Sequence, residues 1–222
     1  MLSGLFKHDG ALWKALNLLT DLFALSTLWL LLCIPVITIG SASTALYDSV
    51  SHCIRNKEPG PYRRFFSTFR SEFRVTALSE LVWGVLIFVG IMSLSFLREN
   101  SGKSGLMTAL TAAYYIILVI PIGAYCWSFP LLSRFSQTFL SLNLSSLKIA
   151  VGYIPRTIVI VIMTLETINL CVNYIFPVFF APALMMLLWS LFTEPVLSKL
   201  GGGLKKENST VLKNENSTEP EN

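Results

Sequence analysis

The sequence predicts an all-α fold, a polytopic transmembrane helical bundle. Hydrophobic residues make up 53% of the 222 residues and charged residues only 14%, whereas soluble globular proteins carry roughly 25% charged residues. The apolar residues are concentrated in stretches about as long as the roughly 20 helical residues that cross a bilayer core. Most of the basic residues lie between these stretches. A soluble domain of this length would need more polar surface, so a soluble enzyme is not expected.

Five strong spans are predicted, because only helices satisfy every backbone polar group within such segments. The first is expected to be retained rather than cleaved as a signal peptide, since it has spanning length and further spans follow it. A tight reversal is predicted between the last two spans, where the residue before Pro177 is restricted. The spans are Leu18–Ile39, Val75–Leu97, Leu106–Trp127, Ile154–Phe176 and Pro177–Leu197.

A short amphipathic stretch follows the first span at residues 41–55, with its apolar side chains on one helical stripe. A helix of this length reaches only about 21 Å, which is too short for an ordinary lipid-facing span. It is predicted to be either an interfacial helix or a short return helix packed inside the bundle. The segment Pro35–Gly40 before it predicts a helix end and a tight turn.

The distribution of Lys and Arg predicts the orientation. Six of the 17 lie between Arg55 and Arg74, three between Arg134 and Arg156, and four from Lys199 onward. The positive-inside rule places these three groups in the cytoplasm. If residues 41–55 return through the bundle, the N-terminus is cytoplasmic as well and 15 of the 17 cations lie inside. If they do not cross, the N-terminus lies outside. We favour the first arrangement, and both place the C-terminus in the cytoplasm.

The chain is predicted to divide into a single transmembrane helical domain, residues 1–200, and a disordered polar cytoplasmic tail, residues 201–222. The tail repeats the tetrapeptide ENST and cannot bury enough apolar surface to offset the entropy lost on ordering.

No catalytic, cofactor-binding or metal-binding motif occurs in the sequence, so we expect no cofactor and no enzymatic activity. The two histidines, His8 and His52, do not form a metal-binding pair, and no nucleotide-binding glycine motif is present. The four cysteines lack C-x-x-C spacing, which argues against a zinc site. Nucleic-acid binding is not expected either, because the basic residues adjoin a membrane span.

Glu166, Asn169 and Asn173 form a candidate intramembrane polar stripe, since they share one helical face of the fourth span. An ionisable residue inside a span suggests function by default. The stripe either lines a substrate or ion path or hydrogen-bonds to a neighbouring helix as packing. Glu80, near the start of the second span, has the same two interpretations.

Asp21, Arg134 and Arg156 form a candidate structural ion pair. With a cytoplasmic N-terminus, all three side chains lie at one edge of the membrane, where a salt bridge would hold helix ends together. A solvated carboxylate beside the lipid headgroups is the alternative.

The segment Pro61–Arg74 is a candidate interfacial or partner-docking helix. Aromatic residues recur every fourth position among arginines, which suits rings in the acyl boundary and guanidinium groups on anionic headgroups. It could equally dock a partner protein or simply anchor the next span. The residues concerned are Arg63, Arg64, Phe65, Phe69, Arg70, Phe73 and Arg74.

Several short blocks resemble the YesL family of bacterial integral membrane proteins, over roughly residues 5–197. The N-terminal block is the most specific and includes Asp21, Trp29, Cys33–Gly40 and Thr44–Tyr47. The later blocks are Phe65–Phe66 with Phe69–Arg70 and Phe73, then Phe129–Phe135, and then Ile154–Thr157.

The resemblance implies a multi-pass protein of the bacterial plasma membrane. Members of that family are often found beside carbohydrate uptake systems, particularly oligosaccharide ABC transporters and their sensor kinases, and no catalytic residue can be transferred from them. We therefore expect a non-catalytic accessory component of oligosaccharide uptake or sensing, whose partners are the lipid bilayer and an ABC sugar permease or sensor kinase. The alternative is a small transporter or channel with a polar path near Glu166. The sequence does not predict an oligomeric state.

Overall fold

Seven α-helices make up the part of the chain that the computed structural model describes, residues 11–100, 105–135, 137–174 and 176–216, with side chains described between residues 16 and 200. A π-helical turn, Val50–Arg55, extends α2, and 3-10 turns Val36–Thr38 and Phe176–Phe179 precede α2 and α7. No strand occurs within these ranges, which confirms the predicted all-α class. The helices are α1 (Ala11–Leu32), α2 (Ile39–Ser49), α3 (Pro61–Asn100), α4 (Gly105–Arg134), α5 (Phe139–Gly152), α6 (Ile154–Asn173) and α7 (Ala181–Asn216).

Four of the described helices are long and apolar enough to cross a membrane, namely α3, α4, α6 and the Ala181–Leu200 part of α7. They correspond to the last four predicted spans and fit a membrane protein. The first predicted span, Leu18–Ile39, is corrected at its C-terminal end, because α1 (Ala11–Leu32) ends at Leu32.

Pro35 explains why α1 ends early. The residue before a proline is disfavoured in helical conformation, and Pro35 itself is extended, with φ −77° and ψ 125°. The Thr38 hydroxyl contacts the Pro35 carbonyl oxygen, at 2.6 Å, and also the Leu32 carbonyl oxygen. The terminal carbonyls of α1 thereby gain a donor. The predicted helix end and tight turn are confirmed.

The second helix, α2, lies at the centre of the bundle. Every residue from Gly40 to Ser51 is buried, and α2 contacts α1, α3, α4 and α7. Residues 41–55 therefore form a return helix packed inside the bundle rather than an interfacial helix. Polar side chains on such a helix must find hydrogen-bond partners within the protein.

The second half of α3, Leu81–Asn100, which we call its outer part, and the first half of α4 differ from α2 in that their side chains are mostly exposed. Large apolar side chains face outward there, as shown by exposed fractions of 65% for Leu81, 68% for Phe96 and 73% for Ile116. Both serine hydroxyls of outer α3 are bonded within their own helix, Ser93 to the Val89 carbonyl oxygen at 2.9 Å and Ser95 to that of Ile91 at 3.1 Å. Such a surface suits lipid, where an unbonded polar group is costly.

Two regions depart from what hydropathy predicts. Between the third and fourth predicted spans, α4 continues through Pro130 to Arg134 and is followed by α5. Two polar residues of α5 bond within the helix, since Asn143 donates to the Phe139 carbonyl oxygen at 2.8 Å and Ser146 to that of Asn143 at 3.0 Å. The backbone of α7 continues beyond the last predicted span and is helical to Asn216. The disordered cytoplasmic tail, residues 201–222, stays a prediction, and residues 217–222 lie outside the described residues.

Two further prolines lie at helix boundaries. Pro155 lies in the first turn of α6, where its missing N–H is not needed. The short 3-10 turn Phe176–Phe179 joins α6 to α7 at the predicted reversal.

Candidate functional site

The carboxylate of Asp48 is held inside the bundle by donors from α3. Asp48 is 3% exposed, and Arg64 donates to its two oxygens from Nε at 2.8 Å and from Nη2 at 3.2 Å. Thr68, one helical turn further along α3, donates to the same carboxylate at 2.7 Å. A two-pronged arginine–carboxylate pair is both strong and geometrically specific. It fixes α2 against the first half of α3, Pro61–Glu80, which we call the base of α3.

The pair extends into a wider group that we call the Asp48 network, formed by Asp48, His52, Glu58, Arg64 and Thr68. Glu58 accepts from Arg64 Nη1 at 2.8 Å and lies 3.2 Å from Nδ1 of His52. The other ring nitrogen of His52 is 3.6 Å from an oxygen of Asp48. The network therefore joins the end of α2, the connecting loop and the start of α3 into one unit.

A polar hollow of about 350 Å³ opens beside the Asp48 network. The loop that borders it turns at Gly60, whose φ of +84° is disfavoured for other residues. Its lining combines hydroxyls, a carboxylate and two guanidinium groups, so it is suited to polar contacts with water or a partner segment. The lining residues are Asp48, Pro59, Gly60, Arg63, Arg64, Ser67 and Thr68.

A second polar cluster ties α7 to α2 and α4. The Tyr47 hydroxyl lies 2.6 Å from the Thr193 hydroxyl and 3.3 Å from a carboxylate oxygen of Glu194. Glu194 also forms an ion pair with Arg134. Sequence reasoning missed this cluster, although Glu194 is a carboxylate within a predicted span and was for that reason a detectable signal.

The side chain of Glu80, on α3, reaches the N-terminal end of α2. One of its carboxylate oxygens accepts from the Gly40 backbone N–H at 2.7 Å, and Tyr125 lies 3.4 Å from the other. The N–H groups of a first helical turn have no partner within the helix, and the helix dipole favours an anion there. Glu80 therefore caps α2 from α3, which corresponds to the packing interpretation.

The predicted polar stripe lies on the outside of the bundle. Glu166, Asn169 and Asn173 are all exposed on α6. Asn173 donates to the Asn169 side-chain oxygen at 2.7 Å, so part of the stripe is bonded within its own helix. The three side chains do not line a path between the described helices.

The structure does not bring Asp21, Arg134 and Arg156 together. Asp21 accepts instead from the Tyr62 hydroxyl at 2.9 Å, and Arg134 pairs with Glu194. Arg156 lies over the ring of Tyr153, 5.8 Å from its centroid. The physical reason is that each group has a nearer partner on an adjacent element.

The candidate docking segment on α3 has two different faces. Phe65 is fully buried, and Phe69 and Phe73 are half-buried and contact each other, with ring centroids 6.0 Å apart. Phe65 and Phe69 pack on the core of the bundle, and the contact of this segment with lipid or a partner stays a prediction. Arg63, Arg70 and Arg74 are exposed.

The described residues do not bring three His, Cys, Asp or Glu side chains into a group that could hold a metal ion. Their arrangement supports helix packing and an outward basic face.

Residues 22–94 match the model of a family described as a protein of unknown function, DUF624. The matched region includes all of α2, most of α3 and therefore the whole Asp48 network. No curated protein and no solved structure matched the chain.

Proposed function

We propose that the protein is a non-catalytic accessory component of oligosaccharide uptake or sensing in the bacterial plasma membrane, and that it acts by binding an ABC sugar permease or sensor kinase. The observation that carries this proposal is an exposed row of arginines on a helix that the Asp48 network holds in place. The carbohydrate context comes from the resemblance to the YesL family.

The row consists of Arg63, Arg70 and Arg74. Spacings of seven and four residues bring these positions back to nearly the same side of an α-helix, which turns about 100° per residue. All three are exposed, and none takes part in an ion pair with another described residue. They form a continuous cationic surface, which we call the arginine face.

The arginine face is rigid because its neighbours are fixed. Arg64, next to Arg63, is committed to Asp48, and Phe65 is fully buried. The base of α3 therefore does not need to become ordered on binding, which removes part of the entropic penalty of association. Guanidinium groups match carboxylates with two-pronged geometry, so we propose an acidic cytoplasmic segment of the partner as the ligand.

Anionic lipid headgroups would also be attracted to such a face, and the test must separate them from a protein partner. Full-length tagged protein is extracted in mild detergent from cells that contain the permease and sensor kinase. The test variant is R63Q/R70Q/R74Q. The control variant is K148Q/K199Q, which neutralises two exposed cations elsewhere.

We expect the permease or the sensor kinase to copurify with the wild-type and control proteins. The amount of this partner that copurifies should fall at least tenfold with the arginine variant. Copurification that is independent of the arginines would contradict this binding mode. Loss of binding to anionic vesicles without loss of the partner would assign the face to lipid. A protein that is always isolated alone, together with normal oligosaccharide uptake in a deletion strain, would remove the whole proposal.

The transporter alternative has less support. It requires polar groups along a path through the bundle, whereas Glu166, Asn169 and Asn173 face outward. Flux into proteoliposomes that Glu166→Gln abolishes would restore it.

A further inference from the structure

An apolar cavity of about 410 Å³ lies between α1, α2, α4, α6 and α7. Its size falls within the range of pockets that hold small ligands. The walls are rich in aromatic and sulfur-containing side chains. They include Trp29, Tyr125, Met185, Met186 and Trp189.

The hydroxyl groups in the wall are already bonded within the protein. Thr164 donates to the Ile160 carbonyl oxygen at 2.7 Å and Thr167 to that of Met163 at 2.8 Å. The Ser43 hydroxyl oxygen accepts from Trp29 at 3.1 Å. A ligand in this cavity would gain few hydrogen bonds.

The Tyr125 hydroxyl and the Trp189 indole N–H differ in whether they have a hydrogen-bond partner. The Tyr125 hydroxyl donates to Glu80 at 3.4 Å, whereas the buried indole N–H of Trp189 has no hydrogen-bond acceptor among the described residues. A sugar with many hydroxyls would lose its hydration without replacement, which is strongly unfavourable. An apolar ligand with at most one acceptor suits this wall.

The cavity communicates with the outer surface of the bundle. Two of its wall residues on α6, Ile168 and Val172, are 54% and 79% exposed. The helix that carries them is long and apolar enough to cross a membrane. In a bilayer, hydrocarbon chains would therefore lie directly beside the opening.

We propose that the cavity takes one acyl chain of a bilayer phospholipid, which enters past Ile168 and Val172. The chain packs against the rings and the methionines. This site is separate from the arginine face and does not depend on the proposed partner.

The experiment uses full-length protein in bilayers that contain a phosphatidylcholine with a diazirine in the middle of one acyl chain. After irradiation, adducts are mapped by peptide mass spectrometry. Labelling of cavity residues such as Met185 and Met186 is compared with labelling of Leu81–Val89, a part of α3 whose many exposed apolar side chains provide the reference for ordinary lipid contact.

We expect cavity labelling at least equal to the reference in the wild-type protein. Thr167→Trp fills the cavity and should lower the ratio of cavity labelling to reference labelling at least fivefold. Removing the Thr167 hydroxyl leaves no group of another helix without a hydrogen-bond partner, because this hydroxyl bonds only to its own helix. Ile162→Trp adds the same side chain at an exposed position of α6 outside the cavity and should leave the ratio unchanged.

The proposal is overturned if cavity residues are not labelled in the wild-type protein, or if the ratio is the same in Thr167→Trp. A maltooligosaccharide that suppresses the labelling would also overturn it, because that result would identify a sugar site. Cys171→Phe narrows the cavity from another position and replaces Thr167→Trp if that variant fails to fold, and the wild-type result decides independently of both.

Discussion

The base of α3, from Pro61 to Glu80, and its outer part, from Leu81 to Asn100, belong to one helix but interact with their surroundings differently. In the base, Arg64, Thr68 and Glu80 each reach a named partner on α2. In the outer part, large apolar side chains face outward and hydroxyls bond within the helix. The base is held to α2 by polar pairs, whereas the outer part meets the rest of the bundle through apolar contacts, such as that of Gly90 with Leu118 of α4.

The largest expected effect comes from breaking the pair that anchors the base. Asp48→Ala leaves the Arg64 guanidinium without its buried carboxylate, and removing one partner of a buried pair costs about 3–5 kcal/mol. Because Arg64 is 33% exposed, we expect a loss of about 3 kcal/mol, at the lower end of that range. Unfolding by SDS titration in mixed micelles measures it. Glu99→Ala, at an exposed position near the outer end of α3, is the control. If Asp48→Ala lowers the free energy of unfolding no more than this control does, the base of α3 is not anchored more strongly than its outer part.

Alanine substitution at two glycines compares a tight contact between helices with an open helix surface. A methyl group at Gly123 on α4 would collide with Cγ2 of Thr157, whereas one at Gly84 on outer α3 would meet no atom within 4 Å. Thr157 cannot readily move away, since it accepts from Trp127 Nε1 at 3.0 Å and donates to the Ala150 carbonyl oxygen at 2.9 Å. Gly123→Ala should therefore destabilise by about 1–3 kcal/mol, as overpacking does. Gly84→Ala should be neutral or stabilise by up to about 1 kcal/mol, and equal losses at the two sites in the same titration would show that α4 and α6 do not pack as described.

Glu80 tests whether a capping carboxylate stabilises α2. Glu80→Leu removes the acceptor of the Gly40 N–H and should cost about 1–2 kcal/mol, since a buried donor is left unbonded. Glu80→Gln keeps a side-chain oxygen and should retain most of the stability. Hydrogen exchange at the Gly40 amide is the second measurement, and it should accelerate in the leucine variant only.

The smallest effect is expected on the outer surface of α6. Glu166→Leu changes an exposed side chain with no partner on another described helix, so stability should change by no more than about 0.5 kcal/mol. Copurification of a partner should also be unaffected. A large loss of stability would place Glu166 in a helix–helix contact.

The sequence was informative wherever one local signal determines structure. Pro35 predicted the end of α1, and Pro177 predicted the reversal between α6 and α7, because proline acts on its immediate neighbours. Hydropathy identified the four described helices that are long and apolar enough to cross a membrane. It overestimated the first span, since apolar residues after Pro35 belong to a turn and to α2. It missed α5, in which Asn143 and Ser146 donate to carbonyl oxygens of their own helix.

The candidate site was harder to predict because its partners are distant in the chain. Asp48 and Arg64 are separated by a loop, and Tyr47 contacts Thr193 from the other end of the protein. Periodicity showed that Asp48 lies off the apolar stripe of residues 41–55, but only the packing of α2 against four helices shows that it is buried. The arginines of α3 were found from their clustering alone, because an exposed face depends on local spacing.

The burial of Asp48 also constrains how the chain can be synthesised. The helix that carries this carboxylate is made before the residues of α3 that neutralise it, so a nascent chain that ends before Pro61 has no guanidinium from α3 to offer. The Asp48 carboxylate therefore gains its guanidinium and hydroxyl partners only after Arg64 and Thr68 have been synthesised. A chain truncated between Ser49 and Pro61 would keep the buried acid and lose every donor that α3 supplies to it.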